Sequence, residues 1–300
     1  MLDTLRLLFQ APVLNVQLIV DGVLIGAVYG LAAYGLALVW GVMNLKNLAQ
    51  GDFVIMGGYL GWTLVRHGIH PFVALPIVAG LMFVFGWIIY RTIIWRVIDK
   101  DLFTSLLATF GLALVMQQIL NQLFGPEVQS IDAGFQSLVL FNGMVTVPQV
   151  KLISLGLTAL LAVLIIGFMK WSRMGQAIRA TAQDPRAARV MGIDTEQVYA
   201  FTFALNSAIC GAAGVLIAMI WVIQPFYGIA HSIRAFVIVT MAGLGNLPGV
   251  ILVALGLGVV EQYAGFTLGA QLQQFTVVGL LVLVLVYKQF LRGRQRQVMQ

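Results

Sequence analysis

Residues 17–42, QLIVDGVLIGAVYGLAAYGLALVWGV, form an apolar run that contains a single charged residue, Asp21. A helix that crosses the hydrocarbon core of a bilayer needs about 20 predominantly apolar residues, so this run is long enough to span a membrane. Two shorter runs, 51–65 and 233–245, are compatible with either a span or a re-entrant segment. Runs of spanning length recur at 72–92, 102–123, 151–169, 197–222, 249–266 and 270–288.

These runs lack the ten-residue alternation that is typical of membrane β-barrels. The sequence therefore predicts an all-α, polytopic membrane protein with eight to ten transmembrane or re-entrant helices. An even number of crossings would place both termini on the same side. No linker rich in Pro, Gly and Ser divides the chain, so residues 1–300 are predicted to form a single membrane domain.

The distribution of charge predicts the topology. The chain is 60% hydrophobic and 9% charged, against about 25% charged residues in soluble domains. Its basic residues lie beside the ends of apolar runs without interleaved aromatic residues, which argues against nucleic-acid binding. Lysine and arginine are absent between Lys100 and Lys151, so the segment 124–149 is predicted to lie outside. The predicted cytoplasmic positions are Arg91, Arg96, Lys100, the segment 170–189, and Lys288, Arg292, Arg294 and Arg296 near the C-terminus.

Small residues and a weak internal repeat indicate close helix packing. Gly22, Gly26 and Gly30 recur every four residues, which aligns them on one helix face where another backbone can approach. This stripe is compatible with packing inside one subunit or with a pore or subunit interface. The two halves of the chain each contain a short glycine-interrupted run that begins Phe-Val-Ile, at 53–55 and at 236–238. Corresponding interrupted segments in two halves are typical of a transport pathway near the membrane midplane.

The polar segment 174–194, MGQAIRATAQDPRAARVMGID, is predicted to contain a short capped helix. Proline at position 185 suits the first helical turn, and Asp184 before it can accept hydrogen bonds from the following amides. Gly192 can adopt the left-handed conformation that ends a helix after Met191. Arg186 and Arg189 are expected to share one face, and an apolar face is expected from Ala187, Ala188 and Met191.

So short a helix is unstable alone, because nucleation costs more than so few hydrogen bonds return. It must therefore dock, either on the bilayer and neighbouring helix ends or on a partner protein. The residues themselves leave both options open.

Three segments of the chain resemble one family of transporters. Residues 174–194, with the FTFALNSAICGAAGVLIAM that follows, are similar to the cytoplasmic coupling loop of permeases from ABC importers for branched-chain amino acids. The runs GLALVWGVMNLKNLAQGDFVIMGGYLG at 35–61 and AFVIVTMAGLGNLPGVILVALGLG at 235–258 are similar to that family's glycine-rich segments. The resemblance covers about residues 17–288 and is strongest to the LivH type. One departure is Gln50, where the family often has a histidine that could titrate.

The resemblance implies a permease subunit in a bacterial cytoplasmic (inner) membrane, multi-pass and with its C-terminus in the cytoplasm. Expected partners are a paralogous second permease subunit, cytoplasmic ATPase subunits, an external solute-binding protein and the lipid bilayer. The chain has no GxxxxGK[ST] phosphate-binding loop, so ATP and Mg are expected on the ATPase and no cofactor on this chain. The coupling loop is expected at about 173–195. The residues expected to couple to the ATPase are Asp184, Pro185, Arg186, Ala187, Ala188, Arg189, Met191 and Gly192.

A permease forms no covalent intermediate, so no catalytic residue is expected. A zwitterionic amino acid is costly to place in hydrocarbon, so a pathway must supply polar groups. His67 and His70 lack a nearby third ligand, and no metal site is expected. The residues predicted to line the substrate pathway are Asn44, Asn47, Gln50, Asp52 and Gln224.

Two other functions remain open at this point. The same class of transporter could carry urea or short-chain amides. A stand-alone secondary transporter could use Asp21 and Asp52 as proton or sodium sites, but it would leave the helix after Asp184 without a purpose.

Overall fold

The computed structural model describes residues 12–98, 100–134, 137–140, 145–243 and 245–297 of the chain. Long helices dominate these residues, and the all-α membrane fold predicted from the sequence is confirmed. Seven helices in the described residues are long and apolar enough to cross a membrane. The helices are α1 (Pro12–Met43), α2 (Gln50–Arg66), α3 (Pro71–Thr92), α4 (Leu102–Phe124), α5 (Gln149–Trp171), α6 (Arg173–Gln183), α7 (Pro185–Val190), α8 (Thr195–Ile220), α9 (Gly228–Ala242), α10 (Leu247–Leu268) and α11 (Ala270–Gln297).

A short antiparallel hairpin interrupts the helical chain between α4 and α5. Its strands are β1 (Ser137–Leu140) and β2 (Val145–Pro148). The hairpin falls within the segment 124–149 that was predicted to connect two spans outside the membrane.

The helix ends define two faces of the molecule. We call the side that carries α6 and α7 the coupling face and the other side the distal face. Helix α5 ends beside α6, and its first turn contacts the start of α1 through an ion pair between Lys151 and Asp21 at 2.5 Å. Helix α1 therefore begins at the distal face. Helix α8 begins after α7 at the coupling face, and Trp221, the residue that follows it, packs on Tyr29 near the middle of α1.

Helices α2 and α9, of 17 and 15 residues, both begin near the middle of the helix bundle and run in opposite directions, and we call them the half-helices. Helix α2 begins beside the midpoints of two long helices, because the side chain of Gln50 bonds to the Ala32 carbonyl of α1 and to Asn206 of α8. From there it runs parallel to α8 toward the distal face. Helix α9 begins at the same depth, where Gly228 packs against Gly51, and runs to the coupling face. The short run at 51–65 lies in the first half-helix, and most of the run at 233–245 lies in the second, within the segment Pro225–Ala242 that is one of the seven of spanning length.

The two halves of the chain are related by an inverted repeat. Helices α1, α2, α3 and α4 correspond in order to α8, α9, α10 and α11, and each crosses in the direction opposite to its counterpart. The two most extensive helix contacts are also equivalent under this correspondence, since α1 packs along α10 and α8 packs along α3. The Phe-Val-Ile runs at 53–55 and 236–238 lie at different places along α2 and α9, near the start of one and beyond the middle of the other, so a link between this sequence echo and the helix order stays a prediction.

With α2 and α11 added to the seven helices of spanning length, the described residues contain nine helices of the transmembrane or re-entrant kind. This number falls within the predicted eight to ten. Helix α1 begins at the distal face, and the placement of both termini on one side, expected for an even number of crossings, stays a prediction.

Small residues allow the central helices to pack backbone against backbone. A Cβ atom added at Gly22 would meet the backbone of Val259 at 2.5 Å. One added at Gly26 would approach the Leu255 Cα at 2.9 Å, and one at Gly30 the Ala254 Cβ at 3.1 Å. The glycine stripe of α1 therefore packs on α10 within the subunit, which decides between the two possibilities that the sequence left open.

Polar side chains at the helix starts accept the first free amides. Asp101 precedes α4, and its carboxylate accepts from the Thr104 amide at 3.1 Å and from the Thr104 hydroxyl at 2.6 Å. These hydrogen bonds hold the pKa of the Asp101 carboxyl below its ordinary value. Asp194 caps α8 in the same way through the amides of Glu196 and Gln197.

Candidate functional site

A buried polar cluster lies where α2 and α9 begin. Polar groups at membrane depth must satisfy one another, because no water is available in hydrocarbon to do so. The cluster joins α2, α4, α8 and α9, and we call it the polar junction. Its members are Asn47, Gln50, Asp52, Gln117, Asn206 and Ser232, all of them buried.

Gln50 connects three helices through one amide group. Its Nε2 lies 2.9 Å from the Ala32 carbonyl oxygen of α1, 3.0 Å from Asn206 Oδ1 and 3.0 Å from Cys210 Sγ of α8. Its Oε1 accepts from Asn47 Nδ2 at 3.5 Å. An amide can donate and accept at the same time without carrying charge, so Gln50 holds α1, α2 and α8 together.

The starts of α2 and α9 touch without side chains between them. The Gly51 amide donates to the Ser232 hydroxyl at 2.8 Å, and the same hydroxyl donates to the Leu48 carbonyl at 2.8 Å. A side chain at Gly51 would collide with the backbone of Gly228, and one at Gly228 would collide with Asp52. Only glycine at both positions permits this approach, so the meeting of the half-helices depends on these two residues.

Asp52 is a buried carboxylate in the first turn of α2. Its Oδ1 accepts from Gln117 Nε2 of α4 at 2.8 Å. The helix dipole favours negative charge in a first turn, and this interaction helps to stabilise the buried Asp52 carboxylate. Within the described residues, Asp52 Oδ2 and Asn206 Nδ2 have no hydrogen-bond partner. The polar junction thus retains hydrogen-bonding capacity that its own members do not use.

The five predicted pathway residues do not form one site. Asn47, Gln50 and Asp52 meet in the polar junction, where they contact helices of their own chain. Asn44 is exposed at the end of α1 with a φ of 51°. Gln224 lies at the distal face, where its Nε2 donates to the Pro126 carbonyl at 2.9 Å. A role for these residues in a substrate pathway stays a prediction.

The capped helix predicted after Asp184 is present at the coupling face. Asp184 Oδ1 accepts from the amides of Arg186 at 2.8 Å and Ala187 at 3.1 Å. The helix ends at Val190, one residue earlier than predicted. Gly192 has a φ of +84°, so it takes the left-handed conformation for which the sequence selected it.

The three residues predicted to form the apolar face of α7 differ in exposure, and their role in docking stays a prediction. Ala188 is 4% exposed and packs on its own chain, and its carbonyl accepts from the Ile193 amide at 3.0 Å. Ala187 is exposed instead. Val190 and Met191 project outward with 86% and 81% exposure. The six-residue helix turns through fewer than two full turns, so its end points away from the side that docks.

The arginines of α7 differ in their contacts. Arg189 Nε donates to Thr195 Oγ1 at 2.6 Å, which ties α7 to the start of α8. Arg186 is exposed. A cavity of about 400 Å³ lies beside this contact, and its lining includes Arg189, Gly192 and Glu196.

Helix α6 was not predicted, although the sequence carried a signal for it. Ser172 Oγ accepts from the Gly175 amide at 2.8 Å, which caps the helix. The residues that dock it, Gly175, Ile178 and Thr181, are buried and recur every three positions. This spacing places them on one face. The coupling loop expected at 173–195 is therefore two short helices, α6 and α7, and not mainly a loop.

An ion pair joins the start of α8 to the end of α3. Arg91 Nη1 contacts Glu196 Oε1 at 2.5 Å, with both side chains about half exposed. Glu196 lies in the first turn of α8 and Arg91 in the last turn of α3, so the ion pair joins these two long helices at the coupling face.

The described residues contain no group of three or more His, Cys, Asp and Glu side chains that could hold a metal ion.

Comparison with known proteins decides the family. A family model described as "Branched-chain amino acid transport system / permease component" matches residues 18–287. The chain belongs to this permease family. The LivH permease protein of the high-affinity branched-chain amino acid transport system of Escherichia coli (strain K12) is 30% identical over 296 residues, with 90% of this chain and 92% of the relative covered. BraD of the corresponding system of Pseudomonas aeruginosa is 28% identical, with 91% and 93% covered.

Two further similarities place the permease among related folds. LivM, another permease protein of the same Escherichia coli system, is 27% identical, with 90% of this chain and 68% of LivM covered. A solved structure described as PsaBC from Streptococcus pneumoniae in complex with Fab has a TM-score of 0.52 and 13% identity, with 95% of each chain covered. At that identity the likeness concerns the fold alone.

Sequence reasoning about this permease missed one buried ion pair. Arg234 of α9 contacts Glu261 of α10 through Nη2 at 2.6 Å and through Nε at 2.7 Å. Glu261 is 1% exposed, and the Arg234 guanidinium lies over the Tyr29 ring at 5.1 Å. The two residues are 27 positions apart in the sequence, so no local spacing reveals the pair. Their presence in apolar runs was the available signal.

Proposed function

We propose that this chain is one permease subunit of an ATP-driven ABC importer for branched-chain amino acids in a bacterial cytoplasmic membrane. Membership of the permease family and the extent of the match to LivH and BraD support this function. The same relatives favour branched-chain amino acids over urea or short amides, and an importer over a stand-alone secondary transporter.

The distribution of basic residues supports an orientation with the coupling face in the cytoplasm. Arg91, Arg96 and Lys100 lie at the coupling face, as do Lys170 and the arginines of α6 and α7. The connection from Gly125 to Pro148 at the distal face contains no lysine or arginine. Short cytoplasmic loops carry an excess of such residues. Helix α11 starts at the distal face and has 28 residues, enough to return the C-terminus to the cytoplasm.

The expected partners are a second permease subunit, ATPase subunits and an external binding protein. The similarity of this chain to both LivH and LivM supports a complex with a paralogous second permease subunit. ATP hydrolysis, with its Mg, belongs to separate cytoplasmic ATPase subunits, because the chain has no phosphate-binding loop. An external binding protein delivers the amino acid to the distal face.

The exposed end of α7 is the observation that carries the coupling role. Val190 and Met191 form an apolar tip on the coupling face, beyond the part of α7 that packs on its own chain. Large apolar side chains that project into water are typical of binding sites for a partner. The tip is the apolar part of this segment left free to contact an ATPase subunit, while Arg189 and Thr195 connect α7 to α8 and so to the membrane helices.

The test is uptake of leucine by the complete importer in proteoliposomes. Val190→Asp should keep the fold, since the side chain makes little contact with its own chain, but should weaken ATPase binding by about 2 kcal/mol, the loss typical of an interface anchor. We expect the ATPase to co-purify poorly and ATP-driven uptake to fall more than tenfold. Val222→Asp is the matched control, because Val222 is an exposed valine on the distal face.

Two results would contradict the proposal. Normal ATP-driven uptake by Val190→Asp would exclude the tip as the coupling contact. Leucine uptake by the wild-type chain that continues without ATP and follows an ion gradient would exclude the importer itself.

A further inference from the structure

A second cavity, which we call the distal cavity, opens at the distal face between α2, α4 and the segment that follows α4. Its volume is about 820 Å³, within the range of small-molecule sites. The lining residues that matter below are Trp62, Arg66, Leu123, Phe124 and Glu127. None of them belongs to the polar junction or to residues 173–195.

The distal cavity contains one positive and one negative side chain that do not pair with each other. The Arg66 guanidinium lies over the Trp62 ring at 5.2 Å, which fixes its position at the wall. Among the described residues, neither Arg66 nor Glu127 has an oppositely charged side chain within 4.0 Å. Each charge is therefore available to a ligand.

Hydrogen bonds fix the segment that carries Glu127. Gln129 exchanges two backbone hydrogen bonds with Ile223, at 2.9 and 2.7 Å. Gln224 Nε2 donates to the Pro126 carbonyl at 2.9 Å, immediately before Glu127. The predicted pathway residue Gln224 thus acts as a positioning residue, because it holds the backbone from which Glu127 faces the cavity.

Aromatic and aliphatic side chains form an apolar wall. Trp62 meets Phe124 edge to face at a centroid distance of 6.0 Å, and Phe124 stacks on Tyr59 at 4.7 Å. Leu123 adds an aliphatic surface. A branched aliphatic side chain buries apolar area against such a wall, between the two charges.

We propose that the distal cavity binds a free α-amino acid as a zwitterion. The ligand carboxylate contacts Arg66, its ammonium group contacts Glu127, and its aliphatic side chain lies against Trp62, Leu123 and Phe124. An arginine fork matches a carboxylate geometrically, and a pair of opposite charges selects a zwitterion over a simple anion or cation. The choice of an aliphatic amino acid rests on the proposed function; the requirement for both charges rests on the cavity.

The test measures ligand binding by the full chain in lipid nanodiscs, without ATPase subunits or binding protein. Saturation-transfer NMR compares leucine with 4-methylpentanoate, which lacks the amino group, and with 3-methylbutylamine, which lacks the carboxylate. An exposed charge pair contributes up to about 1 kcal/mol, so we expect leucine to bind about fivefold more tightly than either analogue.

Two variants assign each charge. Glu127→Gln should reduce leucine binding to the level of 4-methylpentanoate and should not weaken the binding of that analogue, which has no ammonium group for Glu127 to contact. Arg66→Gln should reduce leucine binding to the level of 3-methylbutylamine and should not weaken the binding of that amine. Arg96→Gln is the matched control, because Arg96 also lies over a tryptophan ring, Trp95 at 5.7 Å, but on the coupling face. It should bind all three ligands as the wild type does.

Several results would overturn the inference. The first is a wild-type chain that binds no leucine, and the second is a leucine affinity equal to that of both analogues. The third is leucine binding by Arg66→Gln and Glu127→Gln that matches Arg96→Gln. Failure here is distinguishable from failure of the proposed function, because ATP-driven uptake by the complete importer is measured separately and does not require this cavity to hold free amino acid.

Discussion

The buried ion pair between Arg234 and Glu261 offers a quantitative test of the structure. It joins the half-helix α9 to α10, and Glu261 Oε1 accepts from both Nη2 and Nε of Arg234. Replacing Glu261 by Gln keeps the size of the side chain and removes its charge. Arg234 then remains 17% exposed without an opposite charge in contact.

The size of the effect follows from burial. Removing one partner of a buried ion pair costs about 3–5 kcal/mol, because the other charge stays buried without compensation. Arg234 keeps its contact with the Tyr29 ring at 5.1 Å and some exposure, so we expect the lower end, about 3 kcal/mol. Replacing both residues, with Arg234→Met and Glu261→Leu together, should cost less than about 1 kcal/mol, since apolar side chains of similar volume often replace such pairs without loss.

The assay is the free energy of unfolding in mixed micelles. It is measured for the wild type, for Glu261→Gln, for the single variants Arg234→Met and Glu261→Leu, and for the double variant that combines these last two. Glu196→Gln is the control, because the Arg91–Glu196 pair has side chains 43% and 54% exposed and should contribute less than about 1 kcal/mol. The reasoning is refuted if Glu261→Gln destabilises no more than Glu196→Gln. It is also refuted if the double variant loses as much as the two single variants added together.

Two other substitutions test the half-helix contact and the helix cap. Gly51→Ala should lower the free energy of unfolding by about 1–3 kcal/mol through overpacking against Gly228. Gly41→Ala is the control and should not destabilise the protein, because a Cβ there would meet no atom within 4 Å. Equal free energies of unfolding for the two variants would contradict the contact. Asp184→Ala should cost α7 about 1 kcal/mol, seen as about fivefold faster hydrogen exchange of the Arg186 and Ala187 amides, whereas Asp184→Asn should retain most of the protection. Unchanged exchange in the alanine variant would exclude the cap.

Local features of the fold were predictable because they depend on neighbours in the chain. The spanning runs, the Asp184 cap and the left-handed Gly192 each follow from a few consecutive residues. The positions of the spans agree with the structure to within two residues at most helix ends, because the apolar length needed to cross a bilayer fixes them. The exceptions are the start of α1, five residues before the predicted run, both ends of α9, and the end of α11, nine residues beyond the predicted run.

The candidate sites were predictable only in part. Asn47, Gln50 and Asp52 lie close together in the sequence, and they do share one cluster. Gln224 was grouped with them by residue type, but the structure places it at the distal face, bonded to a carbonyl 98 positions away. The apolar side of α7 was assigned from helical spacing, yet which side docks depends on how α7 meets α8.

The sequence by itself determined that this chain is a helical membrane protein with a short capped helix after Asp184, because apolar length and capping chemistry act between adjacent residues. Only the tertiary structure decided that α2 and α9 are half-helices that meet at Gly51 and Gly228, that Arg234 pairs with Glu261, and that Val190 and Met191 are the exposed tip. Each of these depends on distances between helices far apart in sequence. Such distances are set by the packing of small residues and by the need to satisfy polar groups in a medium that offers them no water.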